Sequence, residues 1–250
     1  MPNIGVKKNL NAFHLKIIAI LGMFINHMGT IFQWSHNIET LPFYTISEFV
    51  GRFTFPIMAY LLVEGYQYTR NVKKYAVRLV IFWLLSIYPF YLLHNPDYAF
   101  SMTDVPNNIF FTLLMGLFMM ICYEKINSSV GKFFIVVLFM GLTILSDWPA
   151  LGILMIWFLY KYHDERGIKK TMVIFFVIFE IISIIGIFAA KNSVAYYAEV
   201  IASFGSLVVG YLLTKYNGTR GYSPNWVKWG FYLFYPMHLV LLEFIKHFFF

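Results

Sequence analysis

Long apolar runs, separated by short polar connections, follow one another along the whole chain. Nine of them are candidate membrane spans: 13–33, 46–66, 75–94, 107–124, 131–146, 149–161, 170–190, 195–216 and 227–249. A helix that crosses the roughly 30 Å hydrocarbon core of a bilayer needs about 20 apolar residues, with a range near 17–25. The pattern therefore predicts an all-α fold, a polytopic transmembrane helical bundle of about nine spans (eight to ten).

The fifth and sixth runs are short, and Asp147-Trp148-Pro149 separates them. Pro149 suits the first turn of a new helix. Two interpretations stay open for this pair: two short spans, or a re-entrant pair that enters and leaves on one side. The first run is too long for a signal peptide and lacks a small-residue cleavage site. No repeat or linker divides the chain, so residues 1–250 are predicted to form one integral membrane domain.

The composition supports a membrane protein. Hydrophobic residues make up 60% of the chain and charged residues 12%, against about 45–50% and about 25% in soluble domains. A soluble enzyme, a disordered chain and a disulfide scaffold are thereby excluded. The single cysteine, Cys122, has no partner for an internal disulfide.

The net charge of +7 is explained by topology, because the cations gather on one side of the predicted membrane. Sixteen of the 19 lysines and arginines lie there: Lys7, Lys8, Lys16, Arg70, Lys73, Lys74, Arg78, Lys125, Lys132, Lys161, Arg166, Lys169, Lys170, Lys215, Arg220 and Lys228. The exceptions are Arg52, Lys191 and Lys246, and the opposite connections carry Glu39, Glu48, Asp97, Asp104 and Asp147. This positive-inside pattern predicts a cytoplasmic N-terminus, an external C-terminus for nine spans, and no nucleic-acid partner.

Several strongly polar residues fall between the membrane midplane and the outer leaflet. His27 lies eleven residues after Lys16, and His238 ten residues after Lys228, which puts both about 15–16 Å from the inner end of their spans. The full set is Asn26, His27, Arg52, Asn107, Asn108, Asp147 and His238. Polar groups at such depth are costly and mark functional sites. A histidine with a carboxylate or amide beside it can move a proton, and an arginine can stabilise an oxyanion, so the set is suited to acyl or proton transfer.

Structural interpretations of the same residues stay open. Either histidine can join two helices by a hydrogen bond. Arg52 can form an ion pair with Glu48, four residues earlier on the same helix face, and Asp147 can cap the following helix. The spans also contain Glu64, Glu180 and Glu243, which suit packed and hydrogen-bonded carboxyl groups.

The densest group of cations consists of Arg70, Lys73, Lys74 and Arg78. It sets topology and contacts anionic lipid in one interpretation, and holds the phosphates of a nucleotide-containing cofactor in the other. The chain has no glycine-rich phosphate loop and no Cys/His cluster with metal-ligand spacing, so no metal is predicted.

Several segments, in order along nearly the whole chain, resemble the TraX family of conjugative-transfer membrane proteins, which is associated with N-terminal acetylation of pilin. They cover residues 15–19, 23–29, 51–56, 61–66, 69–71, 74–79, 86–90, 108–113, 146–152 and 234–239. Examples are Gly51-Arg52-Phe53-Thr54-Phe55-Pro56 and Phe234-Tyr235-Pro236-Met237-His238-Leu239. The family is similar in turn to the type 3 membrane acyltransferases, which use a histidine on the first span and an acyl-coenzyme A donor.

The resemblance implies an acetyl-coenzyme A-dependent acyltransferase of the bacterial plasma membrane. It implies His27 as the base, with Asn26, Arg52, Asn108, Asp147 and His238 around it. It also implies coenzyme A binding by Arg70, Lys73, Lys74 and Arg78. The acceptor is expected to be an amine or hydroxyl of a pilin-like peptide, a secreted peptide or a surface glycan.

Two positions depart from the family pattern. The family usually has Asp-His where this chain has Asn26-His27, and an acidic residue where it has Ile87. An asparagine can orient a histidine but cannot stabilise an imidazolium as a carboxylate does. Asp147 is one candidate for that role. The alternative function is a transporter or assembly partner whose buried histidines carry protons.

Overall fold

The computed structural model of the chain describes residues 8–32, 39–94, 99–189 and 194–249. Lys7, Asp97 and Lys191, which entered the charge argument, lie outside the described residues. The described residues form eleven α-helices and one short 3-10 helix. The helices are α1 (Ala12–Ile31), α2 (Leu41–Gly51), α3 (Thr54–Tyr68), α4 (Val72–His94), α5 (Ile109–Lys125), α6 (Ser129–Leu142), α7 (Leu151–Lys161), α8 (Glu165–Ala189), α9 (Val194–Ser203), α10 (Gly205–Thr214) and α11 (Asn225–Phe249).

The predicted all-α membrane bundle is confirmed. Within the described ranges, five helical stretches are long and apolar enough to cross a membrane: Ala12–Ile31, Leu41–Tyr68, Val72–His94, Glu165–Ala189 and Ala195–Thr214. Along α8, exposed apolar side chains recur every three or four residues, at Val173, Val177, Ile181, Ile184 and Phe188. That spacing gives one apolar stripe, which suits contact with lipid tails.

Two predicted spans are each divided into two helices. The run 46–66 breaks at Arg52-Phe53 between α2 and α3, and the run 195–216 breaks at Phe204 between α9 and α10. Gly205, just after the second break, lies against the end of α2. A Cβ there would stand 2.5 Å from the Phe49 carbonyl oxygen and 2.9 Å from Arg52 Cβ. The missing side chain therefore lets the break between α9 and α10 pack closely on α2.

The pair α6 and α7 differs from its prediction in two details. α6 ends at Leu142, four residues before the predicted end, and α7 begins at Leu151 after Ala150, whose φ of 41° is left-handed. Pro149 therefore precedes the helix instead of lying in its first turn. With 14 and 11 residues, the helices are only about 21 and 17 Å long. Both pack on α5 and on each other, and their lengths favour the re-entrant interpretation.

The chain groups into two compact units. Unit 1 comprises Met1–Gly29, Gln33–Ile57 and Asp164–Phe231, and unit 2 comprises Thr30–Phe32, Met58–His163 and Tyr232–Phe250. Within unit 1, α8 packs on both α9 and α10, and α9 packs on α2. Within unit 2, α5 packs on α4, α6 and α7. Neither unit is one continuous segment, and the assignment of residues 1–250 to one domain stays a prediction.

Candidate functional site

His27 lies on α1 in unit 1, with only 6% of its surface exposed. The start of α1 is fixed by the segment after α10. The Ala12 N–H donates to the Thr219 carbonyl at 2.9 Å, and the Phe13 N–H donates to the Arg220 carbonyl at 3.1 Å. These bonds satisfy two of the N–H groups that a helix leaves unpaired at its beginning. The sequence thus places His27 on an anchored helix and in a buried environment.

Asn26, the expected partner of His27, bonds to α2. Its Nδ2 donates to Glu48 Oε1 at 2.8 Å and to the Ser47 carbonyl at 3.4 Å. Gly51 makes room for this amide, because a Cβ at Gly51 would lie 2.6 Å from Asn26 Nδ2. The nitrogen of the amide is therefore committed to α2, and a role of Asn26 in orienting His27 stays a prediction.

Arg52, at the end of α2, forms an ion pair with Glu199 on α9. The structural alternative had predicted Glu48 as the partner in this ion pair. The Arg52 guanidinium also lies 4.7 Å from the centre of the Phe179 ring. The Tyr44 hydroxyl donates to the other Glu199 oxygen at 3.3 Å, and the charges of Glu48 and Glu199 act on each other. We call Asn26, Tyr44, Glu48, Arg52 and Glu199 the carboxylate cluster of unit 1.

One hydrogen-bond donor of Arg52, its Nε, is enclosed by the protein and has no partner among the described residues. A buried N–H without an acceptor is costly, and an oxyanion or another acceptor group is the partner that such a donor lacks.

Asn108, in unit 2, is a fully buried helix cap. Its Oδ1 accepts from the Phe110 N–H at 3.1 Å, and its Nδ2 donates to the Trp83 carbonyl of α4 at 3.2 Å. Asn107 makes a parallel bond, from its Nδ2 to the Ile87 carbonyl at 3.1 Å. The two asparagines therefore join the start of α5 to α4, which gives Asn108 a structural role; its catalytic role stays a prediction.

His238 is 3% exposed on α11. Its Nδ1 lies 2.9 Å from the Phe234 carbonyl oxygen, and its ring stacks on Phe234 at 4.9 Å. A backbone carbonyl only accepts, so this bond places a proton on Nδ1. The neutral ring then has Nε2 as its basic nitrogen.

The Tyr235 ring packs on His238 and on the start of α5 in unit 2. Its ring contacts His238 at 5.5 Å and Phe110, two residues after Asn108, at 5.2 Å. The charge of Asp147 also acts on Tyr235. Asp147 itself is exposed in the turn between α6 and α7, and the cap of α7 is Ala150 without a side-chain bond, so the capping alternative for Asp147 is wrong.

The four predicted cofactor-binding cations differ in their exposure to solvent. Arg70, Lys73 and Lys74 are exposed around the start of α4, where Asn71 Oδ1 accepts from the Lys74 N–H at 2.8 Å. Arg78 is half-buried and lies against Tyr75 and Tyr232. The exposed three are placed to attract an anion from water, whereas Arg78 lies within the protein.

Unit 2 also contains a histidine–carboxylate pair that was not singled out from the sequence. His163 Nε2 lies 2.6 Å from Glu64 Oε1, its Nδ1 lies 3.2 Å from the Leu159 carbonyl oxygen, and its ring stacks on Tyr60 at 5.1 Å. A carboxylate oxygen and a backbone carbonyl oxygen therefore lie against the two ring nitrogens, and the two side chains form an ion pair when the imidazole is protonated.

The signal for Glu199 was present in the sequence. It stands about four residues inside the run 195–216, at a depth close to that of Arg52, so a search for a carboxylate at the depth of each buried cation finds it. Glu64 and His163 are 99 residues apart, and His163 follows the last residues of a predicted span. No local pattern marks that pair.

Comparison with known proteins agrees with the resemblance. The family described as TraX protein matches residues 12–246. The chain is similar to a Dichelobacter nodosus protein named "Probable fimbrial assembly protein FimC, serogroup H1", with 28% identity over 243 residues that cover 94% of this chain and 95% of that protein. No solved structure matches. The relation to the type 3 acyltransferases stays a prediction.

Proposed function

The chain belongs to the TraX family, and from this premise we propose that it is a membrane-embedded, acetyl-coenzyme A-dependent acyltransferase of the bacterial plasma membrane. Its acceptor is an amine or hydroxyl of a pilin-like peptide, a secreted peptide or a surface glycan. The observation that carries the proposal is the buried imidazole of His27, 6% exposed, on the first helix of a chain that matches the family over most of its length.

His27 is the general base in this proposal. A neutral imidazole takes the proton from the acceptor amine or hydroxyl as that group attacks, and it returns a proton to the departing sulfur. Acetyl-coenzyme A supplies the activated thioester. Arg52 Nε is a buried donor without a partner in the described residues, which suits the negative charge that develops on the carbonyl oxygen.

The exposed cations of unit 2 suit an anionic donor that arrives from the cytoplasm. Arg70, Lys73 and Lys74 are all exposed at the start of α4, and no ion pair in the described ranges uses them. Their charges raise the local concentration of phosphate-bearing molecules, an effect that salt weakens.

The first prediction tests His27. His27→Ala should lose acyl transfer by at least about a hundredfold, since general-base catalysis typically contributes 10²–10⁴-fold, and should still bind coenzyme A. The full-length protein in nanodiscs is incubated with acetyl-coenzyme A and a peptide with a free N-terminus, and thiol release and peptide acetylation are measured. His14→Ala, at an exposed histidine of the same helix, is the matched control and should keep full activity.

His27→Gln separates catalysis from structure. Glutamine can replace a hydrogen bond but cannot take up a proton near neutral pH, so the catalytic role predicts an inactive protein with an unchanged melting temperature. A structural role predicts that alanine melts early and glutamine restores both stability and activity. An active and stable His27→Ala protein would end the proposal.

One observation favours a second candidate function, a non-enzymatic assembly partner or transporter. The similar protein from Dichelobacter nodosus carries the name of a fimbrial assembly protein. In that case the buried histidines carry protons or hold helices, and wild-type protein releases no thiol from acetyl-coenzyme A with any acceptor. Thiol release that depends on His27 distinguishes the enzyme from this alternative.

A further inference from the structure

An aromatic cluster joins the start of α1 to the start of α11 within unit 1. The Phe13 ring contacts the Tyr222 ring at 5.8 Å and the Phe231 ring at 5.9 Å, edge to face in both cases. Tyr222 in turn contacts the Trp226 ring at 6.0 Å. Because Tyr222 and Trp226 are 58% and 69% exposed, one side of the cluster is open to the surroundings of the protein. We call these four residues the aromatic cluster of unit 1.

Three cations surround this cluster: Lys16, Arg220 and Lys228. The Lys16 ammonium group lies 5.3 Å from the centre of the Phe231 ring. Lys228 lies three residues before Phe231 on α11, so the two side chains share one helix face. Arg220 is held at the start of α1, because its carbonyl accepts a hydrogen bond from the Phe13 N–H at 3.1 Å. The charges of Arg220 and Lys228 both act on the Lys16 ammonium group.

This convergence of positive charges calls for an anion. Lys16 is half-buried, although the two charges that act on it most strongly are positive. No ion pair in the described part of the chain involves Lys16 or Arg220. A partly buried cation loses hydration, and like charges beside it add to that cost unless an anion lies close by. An anionic group among the three side chains would offset both effects.

The position of the cluster along the membrane favours a phospholipid headgroup as this anion. Lys16 and Lys228 lie near the ends of the first and last predicted spans, 13–33 and 227–249, at the ends that the positive-inside pattern predicts to be cytoplasmic. Tyrosine and tryptophan are enriched at this boundary, where their rings meet both the headgroups and water. Basic pockets between helices on the cytoplasmic side bind anionic headgroups. A free phosphate ion would gain nothing from the exposed aromatic rings.

We propose that Lys16, Arg220 and Lys228, together with the aromatic cluster of unit 1, bind the headgroup of one anionic phospholipid of the cytoplasmic leaflet. We call this the lipid site of unit 1. Arg220 donates to the phosphate oxygens through its planar fork, and the two lysines act as point charges. The lipid joins the start of α1 to the start of α11, a stabilising role that is independent of the proposed acyl transfer.

The second prediction tests the lipid site by binding, without acyl donor or acceptor. Full-length protein in detergent is titrated with phosphatidylglycerol and, in a parallel series, with phosphatidylcholine, and native mass spectrometry measures the fraction of protein that holds each lipid. Wild type should bind phosphatidylglycerol more tightly than phosphatidylcholine. Lys16→Gln and Arg220→Gln should each raise the Kd for phosphatidylglycerol roughly five- to tenfold, since each removes one cation from the anionic headgroup. Lys16→Arg should bind nearly as tightly as wild type, because it keeps the charge and donates to phosphate.

Arg220→Gln tests the site even where Lys16→Gln fails to fold, because Arg220 is exposed in the connection between α10 and α11. Lys170→Gln is the matched control, since it removes the same charge from an exposed lysine near the start of α8, outside the proposed site. Its affinity for phosphatidylglycerol should equal that of wild type. Melting temperatures are measured for every variant, and added phosphatidylglycerol should raise that of wild type more than that of Lys16→Gln.

Several results would overturn the lipid site. Wild type that binds both lipids equally well, or folded Lys16 and Arg220 variants that bind phosphatidylglycerol as tightly as wild type, would show that the three cations select no lipid. A Lys170→Gln protein weakened as much as Lys16→Gln would indicate attraction by net charge alone.

A competition series with sodium phosphate distinguishes the two sources of a phosphate group. Phosphatidylglycerol should stay bound in the presence of an equal concentration of inorganic phosphate, because only the lipid also contacts the aromatic rings. Displacement under those conditions would identify a site for free phosphate and would overturn the lipid headgroup as the ligand. None of these results depends on acyl transfer, which the His27 variants test separately.

Discussion

At the scale of single residues, the carboxylate cluster of unit 1 shows how a side chain next to a proposed catalytic residue can bond to a different partner. Asn26 precedes His27, yet its amide donates to Glu48 Oε1 at 2.8 Å. Glu48 also faces Glu199, and Glu199 holds Arg52 and Tyr44. Asn26 supplies a donor to a group rich in acceptors, which explains why an amide suits this position better than a second carboxylate.

The third prediction follows from that bond. Asn26→Asp replaces a donor by an acceptor opposite Glu48, so the variant loses a hydrogen bond to a charged group, which is worth about 1.5–3 kcal/mol. For a protein of this size the melting temperature in detergent should fall by roughly 3–12 °C. Thermal unfolding followed by circular dichroism measures the shift.

The matched control exchanges the two groups. Asn26→Asp combined with Glu48→Gln places the amide donor on α2 and the carboxylate on α1, so it should recover most of the lost stability. Should Asn26→Asp melt with wild type, or the double variant melt no later than the single one, the bond does not stabilise the cluster in the way described.

Depth arguments identified buried groups but not their partners. Burial of His27 and His238 and the inward position of Arg52 followed from counting residues along a span. The contact of Arg52 with Glu199, 147 residues away, and that of Glu64 with His163 depend on which helices are neighbours. Hydropathy fixes the depth of a residue along the membrane normal, but it carries no information on which helix faces which.

At the scale of helices, the hydropathy pattern predicted nine apolar regions that are all helical, but it did not predict the breaks inside two of them. Neither helix break, at Arg52-Phe53 or at Phe204, has a proline. Both breaks lie in apolar stretches of sequence, so a hydropathy average along the chain does not detect them. Tertiary packing accounts for the break between α9 and α10, because Gly205 lies against the Phe49 carbonyl oxygen of α2. A glycine at a close approach of two backbones is a property of the fold and leaves little trace in periodicity.

The fourth prediction compares two glycines. Gly205→Ala forces a Cβ to within 2.5 Å of a backbone oxygen, and overpacking of this kind costs about 1–3 kcal/mol. Gly230→Ala, inside α11 with nothing within 4 Å of its Cβ, should be neutral or should stabilise by up to about 1 kcal/mol. In one detergent, Gly205→Ala should therefore lower the melting temperature, and Gly230→Ala should leave it unchanged or raise it. An unchanged melting temperature for Gly205→Ala, or an equal fall for both variants, would contradict the packing argument.

At the scale of the whole molecule, charge asymmetry and helix length together set the topology. The connections rich in lysine and arginine are expected in the cytoplasm. Two spans and one re-entrant pair both return the chain to the side from which it entered, so the ambiguity at α6 and α7 leaves the expected orientation of every other helix unaltered. Their lengths of about 21 and 17 Å fall short of a core of roughly 30 Å, so we predict that the turn 143–150 lies below the outer surface.

The last prediction uses cysteine accessibility in intact cells, with Cys122→Ser as the background. Met102→Cys, 84% exposed in the connection between α4 and α5, should react quickly with a membrane-impermeant maleimide. Lys170→Cys, exposed near the start of α8, should react only after permeabilisation, because the positive-inside pattern predicts that this end of α8 faces the cytoplasm. Ile144→Cys, 61% exposed on the protein, should react more slowly than Met102→Cys, since lipid surrounds a turn that stops short of the surface. All three side chains project from the protein, so differences in labelling rate reflect the position of each residue in the membrane and not burial in the protein.

Two outcomes would contradict the predicted topology. Ready labelling of Lys170→Cys in intact cells would reverse the orientation, and equal rates at positions 144 and 102 would establish two crossing spans in place of the re-entrant pair.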